Sequence, residues 1–247
     1  MFRESLKLVK NEKEEKNELA ALMERREVLF HELLQLPAVK EASLLLDKLP
    51  KLVYHTKEHT FGEDGVIAET ILFGLADNIS RGALEQQVIA AAWHDVGYLE
   101  QYTNNEPVAI KLFTESEAYK QLGPDIRDEI AANIADTAMV FKDTGPHLHM
   151  SHSTLGYMMD ADVSNFGRTD FEECKKKIAL ETGVDLSDPA QEEKMDRFVI
   201  NLLENHTWHT EGARKLREEQ KQKNLTSLRS KYPDLKSGYE IKERKAA

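Results

Sequence analysis

Only one cysteine, Cys174, occurs in the 247 residues, so no disulfide can form within the chain. No signal-peptide pattern opens the sequence. Together these absences predict a reducing, cytoplasmic setting. Long apolar runs are missing as well. None approaches the roughly 20 residues a membrane helix needs, so no membrane partner is expected. Period-2 alternation is absent, and no Asn-Gly or Asp-Gly hairpin lies between apolar runs; Asp64-Gly65 reads as part of a helical stretch. Repeats and low-complexity tracts are absent too. Positive charge is in deficit, with a formal net charge of -11. Residues 211–247 carry 11 Lys and Arg against 6 Asp and Glu, a surplus of 5, which leaves -16 on the rest. An acidic body argues against broad contact with a nucleic-acid backbone. The basic tail reads as a solvated helix rather than a nucleic-acid arm.

What the chain does have is helical periodicity throughout, and hydrophobic residues at 40%, enough for a core. The expectation is an all-α protein with three parts. Residues 1–37 form an N-terminal helical extension, 38–210 the main helical domain, and 211–247 a basic C-terminal helix and tail. Residues 1–18 are weakly patterned. From Leu19 the residues Leu22, Met23, Leu29, Phe30, Leu33 and Leu34 share a face that Pro37 ends. That face either packs on the chain's own core or pairs two copies in a homodimer. Further helices are expected at 38–49, from Val66, from Leu84, from Pro107, from Gly123-Pro124, from Leu155, from Asp188-Pro189 and from Glu211 to Lys231. Thr169-Asp170-Phe171-Glu172 reads as a capping box. Lys142 to His152 is irregular, and its His147, His149 and His152 read as part of a mobile loop over a pocket, with a metal site as the alternative.

Chemistry concentrates in three stretches. Ala90-Ala91-Ala92-Trp93-His94-Asp95-Val96-Gly97-Tyr98 runs an apolar helix into a His-Asp pair. Asp95 follows Ala92 by three and Val88 by seven, which turns it inward, where a carboxylate needs a cation or a partner. Tyr54-His55-Thr56-Lys57-Glu58-His59-Thr60 holds two histidines four apart, on one face if helical. In Asp160-Ala161-Asp162 only one carboxylate can face the core. Asp162 follows Met158 by four and Leu155 by seven, so it is the inner one and Asp160 the outer.

In this order, His59, then His94-Asp95, then Asp162, the chain resembles the HD superfamily of metal-dependent phosphohydrolases. The likeness spans roughly residues 45–231. Asp160-Ala161-Asp162-Val163-Ser164-Asn165-Phe166-Gly167-Arg168 is similar to a block of bacterial members known only as predicted phosphohydrolases. The resemblance implies a helical bundle around a metal held by His59, His94, Asp95 and Asp162. Two imidazoles and two carboxylates suit one divalent transition ion, Mn, Fe, Co, Ni or Zn, with Mg admissible. It also implies hydrolysis of a phosphoester or phosphoanhydride in a nucleotide or other small phosphorylated substrate, by a water that the metal activates. His55 is the expected proton donor to the leaving oxygen, and Asp95 and Glu106 join it as catalytic candidates. Lys57, Asn165 and Arg168 are the expected substrate contacts. Where relatives carry a His-Glu pair able to serve a second metal, this chain reads Asn104-Asn105-Glu106-Pro107. Asn105 is a poor ligand, so one metal is expected, with Glu106 left to orient water or substrate. The alternative is a catalytically weak HD protein that binds a nucleotide and signals through a partner.

Overall fold

The computed structural model describes residues 2–142, 145–147 and 155–233. The fold is all-α apart from one short ribbon. In order come α1 (Phe2–Leu33), α2 (Pro37–Leu46), α3 (Lys57–Phe61), α4 (Val66–Ala76) and α5 (Arg81–Trp93). A 3-10 turn, Val96–Leu99, precedes α6 (Glu106–Glu115), α7 (Glu117–Gln121) and α8 (Pro124–Ala135). The antiparallel ribbon of β1 (Val140–Lys142) and β2 (Gly145–His147) follows. Then come α9 (Tyr157–Asp162), a second 3-10 turn (Ser164–Gly167), α10 (Phe171–Glu181), α11 (Pro189–Asn205) and α12 (Glu211–Ser230). Among the described residues no helix is long and apolar enough to cross a membrane.

α4 is the axis. Every residue from Val66 to Leu75 is buried. A helix with no polar face can only sit inside others, and α1, α5, α9 and α12 surround it. α5 carries the next buried run, Gln87 to Trp93, between α4, α2 and α8. The Trp93 indole N–H donates to the Ala38 carbonyl at 2.9 Å, which pins α2 beside the end of α5. A second cluster, with Phe166, Phe171, Val199, Leu203 and Leu228, joins the second 3-10 turn and α10 to α11 and α12.

Several local expectations need correction. α1 is helical from Phe2, but its buried stripe is narrower than the sequence reads: Leu22, Phe30 and Leu33 are buried, while Leu19 and Met23 face outward. Only the stripe that meets α4 gains burial. Pro37 does not end that helix; it opens α2, where its missing N–H costs nothing. Asp64-Gly65 lies in the turn between α3 and α4, because a Cβ at Gly65 would stand 2.7 Å from the His59 carbonyl oxygen. The capping box does not form. Asp170 sits at the N-cap but gives no side-chain cap, since its carboxylate is taken by the Arg168 guanidinium. The segment read as an irregular loop begins with the ribbon, three residues per strand, too short to show alternation. The other part of that segment, with His149 and His152, lies outside the described residues, as do residues 234–247.

α12 is also more than a solvated basic helix. One face buries Gly212, Ala213, Lys221 and Leu228. Its Arg217 forks onto Glu69 of α4, with N–O distances of 2.7–2.9 Å, and the Glu69 side chain is only 2% exposed. This pair locks α12 to the axis. Arg217→Met strands a buried carboxylate and should lower the unfolding free energy by about 3–5 kcal/mol, whereas Glu69→Leu/Arg217→Met together should restore much of it. Urea unfolding of the three proteins checks this; equal losses in the single and double variants would show that the pair does not lock the helices.

Candidate metal centre

The ends of α5 and α9 and the short α3 meet at one point. His94 is the C-cap of α5, its N–H still bonded to the Ala90 carbonyl at 3.0 Å. Asp95 lies one residue beyond, at the start of the 3-10 turn. Both are buried. α3 starts at Lys57 because Thr56 caps it, accepting from the His59 N–H. That short helix exists to aim His59 inward. Asp162 is the last residue of α9. Gly97 lets α6 press against the 3-10 turn, since a Cβ there would stand 2.0 Å from the Asn105 carbonyl oxygen.

All four residues expected to hold a metal are brought together. His59 Nε2 is 3.0 Å from Asp162 Oδ1 and 3.8 Å from Asp95 Oδ2. His94 Nε2 is 3.2 Å from Asp95 Oδ2 and 3.3 Å from Asp162 Oδ1. Ligand atoms of His59, His94 and Asp162 lie within 4.8 Å of one another.

The hydrogen bonding tests whether a cation fits. His94 Nδ1 is 2.7 Å from the Ala91 carbonyl, which can only accept, so Nδ1 carries the hydrogen. A neutral His94 then turns a lone pair on Nε2 toward two carboxylates. His94 Nε2 and Asp95 Oδ2 are both buried and have no hydrogen-bond partner. Electron-rich atoms so close in a buried site repel one another unless a positive charge sits among them. The titration preferences show the same demand for positive charge among these atoms. Burial opposes charge on His94, but Asp95 and Asp162 outweigh it and hold its pKa well above the usual value. Burial likewise opposes ionisation of Asp162, and His94 and His59 overcome it, pulling its pKa well below the usual range. The donor set, two imidazoles and two carboxylates, fits a divalent transition ion.

His55 lies beside this cluster but not on the face of a helix shared with His59, because α3 begins two residues after it. Its ring centroid is 5.9 Å from that of His59, 4.6 Å from Tyr98 and 5.0 Å from Tyr54. The unforeseen partner is Glu181, the last residue of α10. Its Oε2 accepts the N–H groups of Val53, Tyr54 and His55 at 2.8, 2.7 and 3.1 Å, and its Oε1 accepts from His55 Nδ1 at 2.5 Å. Burial opposes protonation of His55, but Glu181, Asp95 and Asp162 raise its pKa overall. Burial works against ionisation of Glu181 too, yet these donors hold its pKa down to about 2. Glu106 is half-buried at the start of α6; burial, then the charges of Asp95 and Asp162, pushes its carboxyl up. Asn105 is buried, its amide 3.5 Å from the His94 carbonyl.

His59 and Asp162 line a cavity of about 590 Å³, together with Tyr54 and Thr56, the two neighbours of His55. Asn165 and Arg168, both expected to contact substrate, line it too. Arg168 is engaged by Asp170 and by the Asp64 carbonyl. Lys57 is not brought in: its ammonium is 2.7 Å from Asp47 on the surface. Cys174 also lines the cavity, but burial, with Asp170 beside it, pushes its thiol up to about 11, which disfavours the thiolate at neutral pH. His147 belongs to β2, which packs against α11 rather than the centre.

Asp160 does point away from the cluster, but it is not an outer residue. It is fully buried and accepts the N–H groups of His209 and Thr210, both at 2.9 Å, and the Thr210 hydroxyl at 2.7 Å. Nothing in the local spacing around Asp160 announces that role. Glu181 left one faint mark: a carboxylate on the last turn of a helix faces the wrong end of the helix dipole and needs another reason to be there. Comparison with family models, with curated proteins and with solved structures finds no match to this chain.

Two outcomes follow from the contacts. Asp160→Ala should cost on the order of 3 kcal/mol of stability by orphaning buried donors, yet leave metal uptake intact. Asp162→Ala should remove metal uptake at a smaller cost in stability. Calorimetric metal titration beside urea unfolding separates them, and metal loss in the Asp160 variant alone would reverse the assignment. The second concerns pH. Glu181 has a lowered folded pKa, so its contribution is present above about pH 4.3 and lost as pH falls toward 2. His55 has a raised one, so its contribution is present below about pH 6.5 and lost as pH rises through the folded value. The stability gap between the native chain and Glu181→Gln should therefore be widest between about pH 4.5 and 6.5, on the order of 2 kcal/mol, and narrow on both sides. A gap independent of pH in urea unfolding would contradict the ion pair.

Proposed function

We propose that the chain is a metal-dependent phosphohydrolase of the HD superfamily. It would hydrolyse a phosphoester or phosphoanhydride bond in a nucleotide or another small phosphorylated molecule. His59, His94, Asp95 and Asp162 would hold one divalent transition-metal ion. The observation that carries the reading is the buried pair of His94 Nε2 and Asp95 Oδ2, 3.2 Å apart with no hydrogen bond on either atom and the His94 Nδ1 hydrogen committed to Ala91. Such an ion supplies positive charge for a phosphoryl oxygen and makes a nucleophile of water at neutral pH.

The chain's own groups account for the rest. His55 is near enough to the cluster to feel Asp95 and Asp162, and the upward shift of its pKa favours the protonated form that a donor to a departing oxygen needs. Glu106 is a carboxyl whose pKa is raised toward the range in which it can take a proton from water and orient it. Asn165 and Arg168 line the cavity where the remainder of a substrate fits, with His59 and Asp162 at its wall. Arg168 offers charge there while Asp170 fixes its direction.

The test is a panel of nucleotides and phosphate esters, assayed with Mn, Co, Ni, Zn or Mg after chelator stripping. Phosphate release should require metal and should vanish in Asp95→Ala while helical content persists. Elemental analysis should find about one ion per chain in the native protein, since Asn105 cannot anchor a second. Turnover that survives both chelation and Asp95→Ala would rule the reading out.

A further inference from the structure

Glu181 gathers an unusual number of donors for one side chain. Three consecutive backbone N–H groups, Val53 to His55, reach Oε2, and His55 Nδ1 and the Tyr102 hydroxyl (3.2 Å) reach Oε1. The side chain is 3% exposed. Holding the turn before α3 explains the three backbone contacts. It does not explain why the second oxygen is spent on His55. An ionised carboxylate only accepts, so the hydrogen in that contact belongs to Nδ1. Nε2 is then the one ring nitrogen left to exchange a proton with anything else. Tyr98 and Tyr54 flank the ring and limit its rotation.

We propose that Glu181 is a positioning residue that acts through His55, fixing its ring and reserving Nε2 for the leaving oxygen. This rests on the hydrolase reading above. In the step concerned, the P–O bond to the leaving group breaks and its electron pair stays on that oxygen. The oxygen takes the Nε2 proton, and water forms the new bond to phosphorus and passes its own proton to Glu106. His55 is left as the Nδ1–H tautomer, which is the form Glu181 binds. In Glu181→Gln one amide oxygen still serves the backbone N–H groups, but the amide NH2 confronts Nδ1 and favours the opposite tautomer.

The experiment compares the native chain, Glu181→Gln, His55→Ala and the double variant, all metal-loaded, on an alkyl phosphate and on an activated aryl phosphate. Glu181→Gln should lower kcat for the alkyl ester by about tenfold or more and the aryl ester by less than about threefold, with KM and metal content unchanged. In the His55→Ala background the same substitution should do nothing further. Independently of turnover, ¹⁵N-labelled native protein should show a low-field Nδ1 proton on His55, assigned by its loss in His55→Ala and absent in Glu181→Gln. Equal loss on both esters, an additive loss in the double variant, or a native spectrum without that proton would each overturn the proposal. The spectrum decides even if Glu181→Gln does not fold. A native chain inactive on every ester overturns the hydrolase reading and the proposal together, while an active native chain with a fully active Glu181→Gln overturns the proposal alone.

Discussion

Four electron-rich side chains, His59, His94, Asp95 and Asp162, are held within about one ion's reach of each other in a buried place, and the surrounding architecture serves that constraint. Three of them lie at or just past a helix end, and His59 sits in the five-residue α3. Helix ends can be steered by single residues: Thr56 sets where α3 begins, and Gly97 allows α6 to approach the 3-10 turn. The wholly buried α4 gives these ends a fixed axis, and its Glu69–Arg217 fork carries the same rigidity out to α12. Without a positive charge at the meeting point, the cluster would be a net liability to the fold.

The surroundings of the cluster are not symmetric. One flank is a cavity bordered by His59, Asp162, Asn165 and Arg168, roomy enough for a small organic molecule. Close by, the packing is tight: His55 between aromatic rings, Glu181 behind it, Glu106 at the start of α6.

The sequence made the helices and the inward turn of Asp95 and Asp162 legible because both rest on local periodicity. Val88, Ala92 and Asp95 share a helical phase, and that phase survives although α5 ends at Trp93, since the 3-10 turn continues the same direction of winding. Met158 and Asp162 behave alike on α9. Where reading failed, a side chain had found another partner than the one its local position offered. Asp170 could cap α10 but is claimed by Arg168. Lys57 could reach the substrate but finds Asp47. Asp160 has the look of a spare carboxylate until His209 and Thr210, about 50 residues on, deliver their N–H groups. Glu181 acts on residues 126–128 positions away, a pairing that no spacing rule encodes.

A charge-deprived cluster should declare itself in stability. Anything that binds the folded chain alone raises its melting temperature by mass action. The decisive measurement is a thermal melt of the chelator-stripped chain with and without excess Mn or Zn, alongside Asp95→Asn. The account predicts that metal raises Tm by several degrees in the native chain and not in the variant. An identical Tm in the native chain with and without metal would contradict it.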